Sequence, residues 1–322
     1  MMPSYLARLF VLALAAFFLV HLLLGIAVSA LTPAVTRRAH GLAPLRGARL
    51  LFAMRMAPLT GALLVTLGVC VPSYLQFEPL AGEEEIGAIC LVAAILGALI
   101  CVHAVLRAAR AAIGSVLFAR RCRRNSQPVA VRGAFTAVSM VRHDLPIFAL
   151  TGVFRPHLLV SNKLLAVLSS SQLEAALDHE QAHVVSHDNL KRLLLMLAPD
   201  VFPFVRAFRS IERCWARFSE WAADDYAAAG DERRSLFLAD ALIRVARIGS
   251  AVKPALTSSF LADDYDLAVR VDRLLHPGPA TRREHRRGRA IVSGLVAAAA
   301  LAVMLQPATL RVVHAILEHL ID

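Results

Sequence analysis

Long charge-free runs alternate with polar stretches along this chain. Four runs hold no Asp, Glu, Lys or Arg over at least 21 residues: Leu9 to Thr36, Met56 to Phe77, Ile86 to Leu106, and Ala290 to Leu310. As a helix, each is long enough to cross a hydrocarbon core about 30 Å thick. A cleavable signal peptide is the rival reading for the first. Its length and the basic loop behind it favour a membrane anchor. Four transmembrane helices are therefore expected, with residues 108–289 set between the third and the fourth.

Within 108–289 the periodicity changes. Residues 108–124 are amphipathic and read as a prolongation of the third helix. The run from Ile147 to Val160 mixes β-branched and aromatic residues around Thr-Gly and Arg-Pro, which predicts a β-hairpin. Such a hairpin could offer an open edge to an extended peptide or simply cover its neighbour. A helix is expected from Ser171, as N-cap of a capping box closed by Glu174, to about Leu197. Leu173, Ala176, Leu177, Ala182 and Val184 supply its apolar face. Pro199 and Pro203 interrupt the next apolar run, so it is not counted as a span, although a re-entrant segment stays open. An alanine-rich helix is expected around Ser219 to Asp225, and a salt-bridged helix from Ala262 to Leu275.

Composition agrees with a membrane chain. Of the 322 residues, 57% are hydrophobic and 18% charged, with mean hydropathy +0.59, too apolar for one soluble globule. The net charge of +11 gathers at span ends. Arg37, Arg38, Arg46, Arg49 and Arg55 follow the first run, and Arg107, Arg110, Arg120, Arg121, Arg123 and Arg124 follow the third. Arg282, Arg283, Arg286, Arg287 and Arg289 precede the fourth, whereas the connection after the second is acidic, with Glu78, Glu83, Glu84 and Glu85. The positive-inside rule then puts 108–289 in the cytoplasm and both termini outside. Arginines so placed suit anionic headgroups, and no direct nucleic-acid binding is expected. The five cysteines show no C-x-x-C spacing and read as apolar fillers.

The chemistry concentrates in His179-Glu180-Gln181-Ala182-His183. One helical turn separates the histidines, so both imidazoles leave one face and can converge on Zn²⁺. Zinc lowers the pKa of water to about 7, and Glu180 is placed to act as general base in peptide hydrolysis. A third ligand is needed. Glu220 and Asp224 lie one turn apart on the alanine-rich helix; Glu220 can ligate, while Asp224 can accept the free ring N–H of a ligand histidine. His21 and His103, inside predicted spans, read as helix-to-helix hydrogen-bonding groups. His187 reads as solvated or supporting. There is no Gly-x-Ser-x-Gly and no glycine-rich phosphate loop.

The stretch PHLLVSNKLLAVLSSSQLEAALDHEQAHVVSHDNLKRLL resembles the signature region of the BlaR/MecR-type integral-membrane metallopeptidases, the bacterial β-lactam receptor-proteases. The resemblance covers the three leading spans, the hairpin, the H-E-x-x-H helix, the E-x-x-x-D helix and the final span. It implies His179, His183 and Glu220 as zinc ligands, Glu180 as general base and Asp224 as a supporting residue. Asp188 matches a recurring polar position of unassigned role. Those receptors carry a large extracellular β-lactam-binding domain after the last span, where this sequence has only residues 311–322. Sensing β-lactam by that route is not expected. The amphipathic tail suits the outer membrane surface or a partner helix.

The expectation is thus a mostly α chain in three parts: 1–107 with three spans, 108–289 as a cytoplasmic zincin-like α+β metalloprotease domain, and 290–322 with the fourth span and tail. The resemblance implies an inner-membrane peptidase acting on a cytoplasmic or juxtamembrane protein, with a transcriptional repressor as the family-style substrate. Two alternatives stand beside it: an HtpX-like quality-control protease, and a non-catalytic signalling or scaffold protein with a structural metal site.

Overall fold

The first three apolar runs form helices that reach beyond the charge-free stretches into their basic flanks. The computed structural model describes residues 2–78, 86–124, 126–129, 136–141, 147–200, 206–248, 258–259, 264–276, 306 and 311–312, and it is mostly helical. Helix α1 spans Met2–His40 and α2 spans Pro44–Val65; a π-helical turn at Thr66–Cys70 leads into α3, Val71–Phe77. The wide turn lies just before Pro72, whose missing N–H a regular helix could not use. Helix α4 runs Ala88–Arg124 without a break, so residues 108–124 do prolong the third apolar run. Three segments are long and apolar enough to cross a membrane: Tyr5–His40, Pro44–Phe77 and Ala88–Arg124. Leu23, Leu64, Leu67, Ile89 and Leu99 project outward from them, exposed as lipid-facing residues would be. The expected fourth span, its arginine cluster and nearly all of the tail lie outside the described residues.

Beyond α4 come strands β1 (Ser126–Pro128), β2 (Val138–Val141), β3 (Phe148–Thr151) and β4 (His157–Ser161). Helices follow: α5 (Asn162–Val167), α6 (Ser170–Ser186), α7 (Asp188–Leu197), α8 (Arg206–Ala228) and α9 (Glu232–Ile248). Strand β5 (Ser258–Ser259) and helix α10 (Asp264–Leu275) complete the domain. The sheet order is β1-β2-β4-β3-β5, with β2 parallel to β4 and the other pairs antiparallel.

The expected hairpin is β3–β4, turned at Gly152, whose φ of +94° suits glycine. It does not present an open edge on both sides. Strand β2 flanks β4, and Ser258 and Ser259 pair with Leu150 and Ala149. Alternation sets its two faces. Phe148, Leu150, Leu158 and Val160 join the core formed with α6 and α9, while Ala149 and Leu159 pack with Cys122 near the end of α4. The prolonged third helix is therefore also a cover for the sheet.

Two helix boundaries differ from the sequence reading. The N-cap of α6 is Ser169, whose hydroxyl accepts from the Gln172 amide while the Gln172 side chain accepts from the Ser169 amide. Ser171 already lies inside the helix. Three consecutive serines leave the frame open locally; the buried Gln172, which also donates to Asp240 on α9, settles it. Nor does this helix continue to Leu197. His187 takes a left-handed conformation (φ 56°), ending α6 and starting α7 in a new direction. A straight helix would put Asp188 well round the barrel from His183; the break re-aims it.

The arginines at the span ends are not all headgroup-facing. Arg55 is fully buried and binds Asp200 (2.6 Å) and Glu212 (2.8 Å). Arg107 meets the other Asp200 oxygen (2.5 Å) and donates to the carbonyls of Met196 and Ala198. The corner after α7 is thus pinned to α2 and α4, while His21 of α1 bonds the Pro199 carbonyl at 3.1 Å. His21 was expected to serve another helix; it serves this corner. A second seam runs along α8, where Ile211, Trp215 and Phe218 pack with Val28, Ala48 and Leu51. The opposite side of α8 meets α6, with small buried Ala223 and Ala227.

Candidate metal centre

Helices α6 and α8 bring the expected ligands together. His179, His183 and Glu220 are 0%, 1% and 3% exposed, and one ligand atom of each lies within 4.8 Å of the others. The two Nε2 atoms stand 3.3 Å apart. One Glu220 oxygen is 3.4 Å from the His179 Nε2, and its other oxygen is 3.7 Å from the His183 Nε2. This group could hold a metal ion.

The opposite nitrogens are held by carboxylates. Asp224 lies one turn beyond Glu220 and takes the His179 Nδ1 at 3.0 Å. Asp188, presented by the break at His187, takes the His183 Nδ1 at 2.7 Å. With Nδ1 of His183 bonded to Asp188 and Nδ1 of His179 turned to Asp224, the Nε2 atoms of both rings face the shared space. Asp188, whose role the sequence left open, therefore does for His183 what Asp224 does for His179. It is itself held by the Ser219 hydroxyl and by Lys191 at 3.0 Å. His187, in contrast, is exposed at the bend.

Glu180 is fully buried beside His179. With Asp188, Glu220 and Asp224 it makes four buried carboxylates, against one fully buried cation, Arg270 on α10. Arg270 forks onto Asp224 (Nε 2.8 Å, Nη2 2.7 Å) and places Nη1 3.2 Å from Glu220. Its charge also acts on Glu180. Burial by itself would raise these acids, but His183, His179 and Arg270 hold Glu220 well below the ordinary carboxylate range. Burial likewise opposes ionisation of Asp224 and Asp188, which are nevertheless lowered, the first chiefly by Arg270 and the second chiefly by His183. Burial disfavours a charged His179, yet the accepting carboxylates of Asp224 and Glu220 beside it push it up to about 9. Three carboxylates held ionised around two imidazoles form a donor set that favours a cation at its centre.

The salt-bridged helix expected from Ala262 to Leu275 is the element that brings Arg270 to this centre, a role its sequence alone does not assign. Only charge accounting could have pointed to it, since paired carboxylates facing two histidines in a buried site need a resident guanidinium. Asn189 was also passed over. Its side-chain amide donates to the carbonyls of Leu150 (3.2 Å) and Gly152 (3.0 Å), fastening the start of α7 to the hairpin. Glu174, expected to close the capping box with Ser171, does not cap the helix, since Gln172 fills that place.

A scan against protein-family models finds none that matches the chain, and a search of curated proteins finds no match either.

Proposed function

We propose that this chain is a membrane-embedded zinc endopeptidase of the BlaR/MecR kind, acting on a cytoplasmic or juxtamembrane protein, with a transcriptional repressor as the substrate class the resemblance implies. One observation carries the reading. Two imidazoles and a carboxylate converge in a buried, carboxylate-rich space with a second carboxylate, Glu180, in the same helical turn as His179. A structural site needs ligands but no adjacent base.

The donor set suits zinc. Tetrahedral bonds of about 2.0–2.1 Å put neighbouring ligand atoms about 3.3–3.4 Å apart, close to the 3.3 Å between the two Nε2 atoms and the 3.4 Å from the His179 Nε2 to one Glu220 oxygen, while the other Glu220 oxygen lies 3.7 Å from the His183 Nε2. Zinc held by His179, His183 and Glu220 would supply Lewis acidity, polarising a scissile carbonyl and acidifying water. The chain's own groups do the rest. Asp224 and Asp188 keep the Nδ1 protons of His179 and His183 in place, so the Nε2 atoms stay unprotonated and correctly turned. Glu180 takes the proton of the attacking water on its carboxylate and delivers it to the leaving nitrogen. Arg270 offsets the charge of Asp224 and Glu220, keeping both ionised in a buried setting. Charge-free length supports a fourth span at 290–310, and the arginine distribution supports an inner-membrane topology with 108–289 in the cytoplasm.

The test uses the purified full chain, wild type against Glu180→Gln. Both should retain zinc, and only the wild type should cleave itself or a co-expressed cytoplasmic substrate. The Glu180→Gln protein should hold that substrate long enough for its identification by mass spectrometry. Equal cleavage by the two proteins would sink the peptidase reading.

A further inference from the structure

Beside the candidate metal centre, α4, α7 and α8 enclose a cavity of about 860 Å³, lined among others by Arg107, Arg192, Leu195, Arg209, Arg213 and Trp215. Its charge is unbalanced. Arg107 is neutralised by Asp200, and the one lining acid, Glu212, is taken by Arg55. Arg209 and Arg213 have no ion-pair partner among the described residues. Arg192 lies over the Trp215 ring at 5.7 Å and reaches only to 3.7 Å from Glu220. Its buried Nε has no hydrogen-bond partner among the described residues. Arg209 and Arg213 thus border a partly apolar space without an anion among the described residues to satisfy them, and Arg192 adds a buried Nε that is still unpartnered. Permanent charge and forked donors of this kind suit a phosphate oxyanion.

The level of the cavity narrows the source of that phosphate. Arg107 is the first charged residue after the charge-free run that ends at Leu106. Val102, Val105 and Leu106, within about one turn before it, are about half exposed. Hydrocarbon therefore gives way to polar surface where the arginines gather, and basic pockets between helices at such a boundary suit lipid headgroups. A soluble phosphate would use the arginines but not the exposed apolar side chains. We propose that this cavity binds the phosphate of an anionic glycerophospholipid, with acyl chains along the exposed apolar surface of α4. The site lies outside the cleavage chemistry and is tested without it.

The experiment takes the full chain in neutral detergent and titrates it with phosphatidylglycerol, phosphatidylcholine of the same chain length, inorganic phosphate, or an acidic peptide. Native mass spectrometry counts retained lipid, and melting temperature reports occupancy. Arg209→Gln with Arg213→Gln is the comparison protein, both positions being exposed and outside the metal cluster. Phosphatidylglycerol should be retained and raise the melting temperature, phosphatidylcholine should not, and the paired change should weaken phosphatidylglycerol by about fivefold per arginine, about 25-fold together. Equal retention of the two lipids, or unchanged phosphatidylglycerol affinity in the paired variant, would overturn the proposal. Inorganic phosphate binding as tightly as the lipid, with the same arginine dependence, would assign a free phosphate and reject the lipid. Arginine-dependent binding of the acidic peptide without any lipid preference would reject it in favour of a protein partner.

Discussion

Replacing Arg270 by Met removes the one fully buried cation among four buried carboxylates while keeping much of the side-chain volume. In the structure this guanidinium makes two short contacts to Asp224, at 2.8 and 2.7 Å, and a third to Glu220 at 3.2 Å. Taking charge centres about 4 Å apart and an effective dielectric of about 20, each carboxylate loses about 4 kcal/mol of attraction. Part is recovered, because the arginine no longer has to be stripped of water. Measured losses on breaking such buried pairs settle at about 3–5 kcal/mol. In a domain of this size that is a fall of roughly 10 °C in melting temperature. Tryptophan fluorescence should follow it, since Trp221 lies under Arg273 of the same helix. Measured in detergent with a chelator present, Arg270→Met should melt well below the wild type. Arg270→Lys should fall in between, keeping the charge but losing the fork. Adding Asp224→Asn to Arg270→Met should recover part of the loss, because one fewer charge is stranded. A shift of under about 1 kcal/mol for Arg270→Met, or full stability for Arg270→Lys, would refute the charge argument.

Three further outcomes are expected. Asp188→Asn removes the carboxylate that holds the His183 Nδ1, so zinc affinity by chelator competition should drop about 10–100-fold with the fold retained. In the metal-free protein, His179 is raised from 6.5 to about 9, so its stabilisation is complete below about 6.5 and disappears as pH rises through 9. Asp188, Glu220 and Asp224 are lowered, so theirs is present above about 4.5 and lost as the solution is made more acid. Melting temperature against pH with chelator should therefore peak between those limits; a flat profile from 4 to 10 would contradict the assigned pairs. Finally, a Cβ added at Gly47 would stand 2.4 Å from the buried Phe218 ring, two residues from Glu220. Gly47→Ala should cost about 1–3 kcal/mol in a denaturation titration and weaken zinc retention, whereas a neutral result would mean that α8 yields freely.

Much of the site was legible because its information is local. The spacing of His179 and His183 puts both on one helical face, and Glu220 and Asp224 repeat that spacing on α8. Charge-free length likewise announced the three long apolar helices. The cap of α6 was not local enough. Both Ser169-Gln172 and Ser171-Glu174 have the box spacing, and burial of Gln172 against α9 chose between them. The arginines at the span ends could be read as headgroup-facing until tertiary contacts put Arg55 against Asp200 and Glu212.

By itself, then, the sequence determined which segments are apolar enough to enter a bilayer and which residues could share a helical face, because both depend on short-range order. The tertiary structure decided the rest. It brought α8 against α6 so that Glu220 meets the imidazole pair, bent the chain at His187 so that Asp188 reaches His183, and delivered Arg270 from 46 residues beyond Asp224. Those relations join groups distant in sequence, and they hold because a buried carboxylate must find its counter-charge wherever folding supplies one.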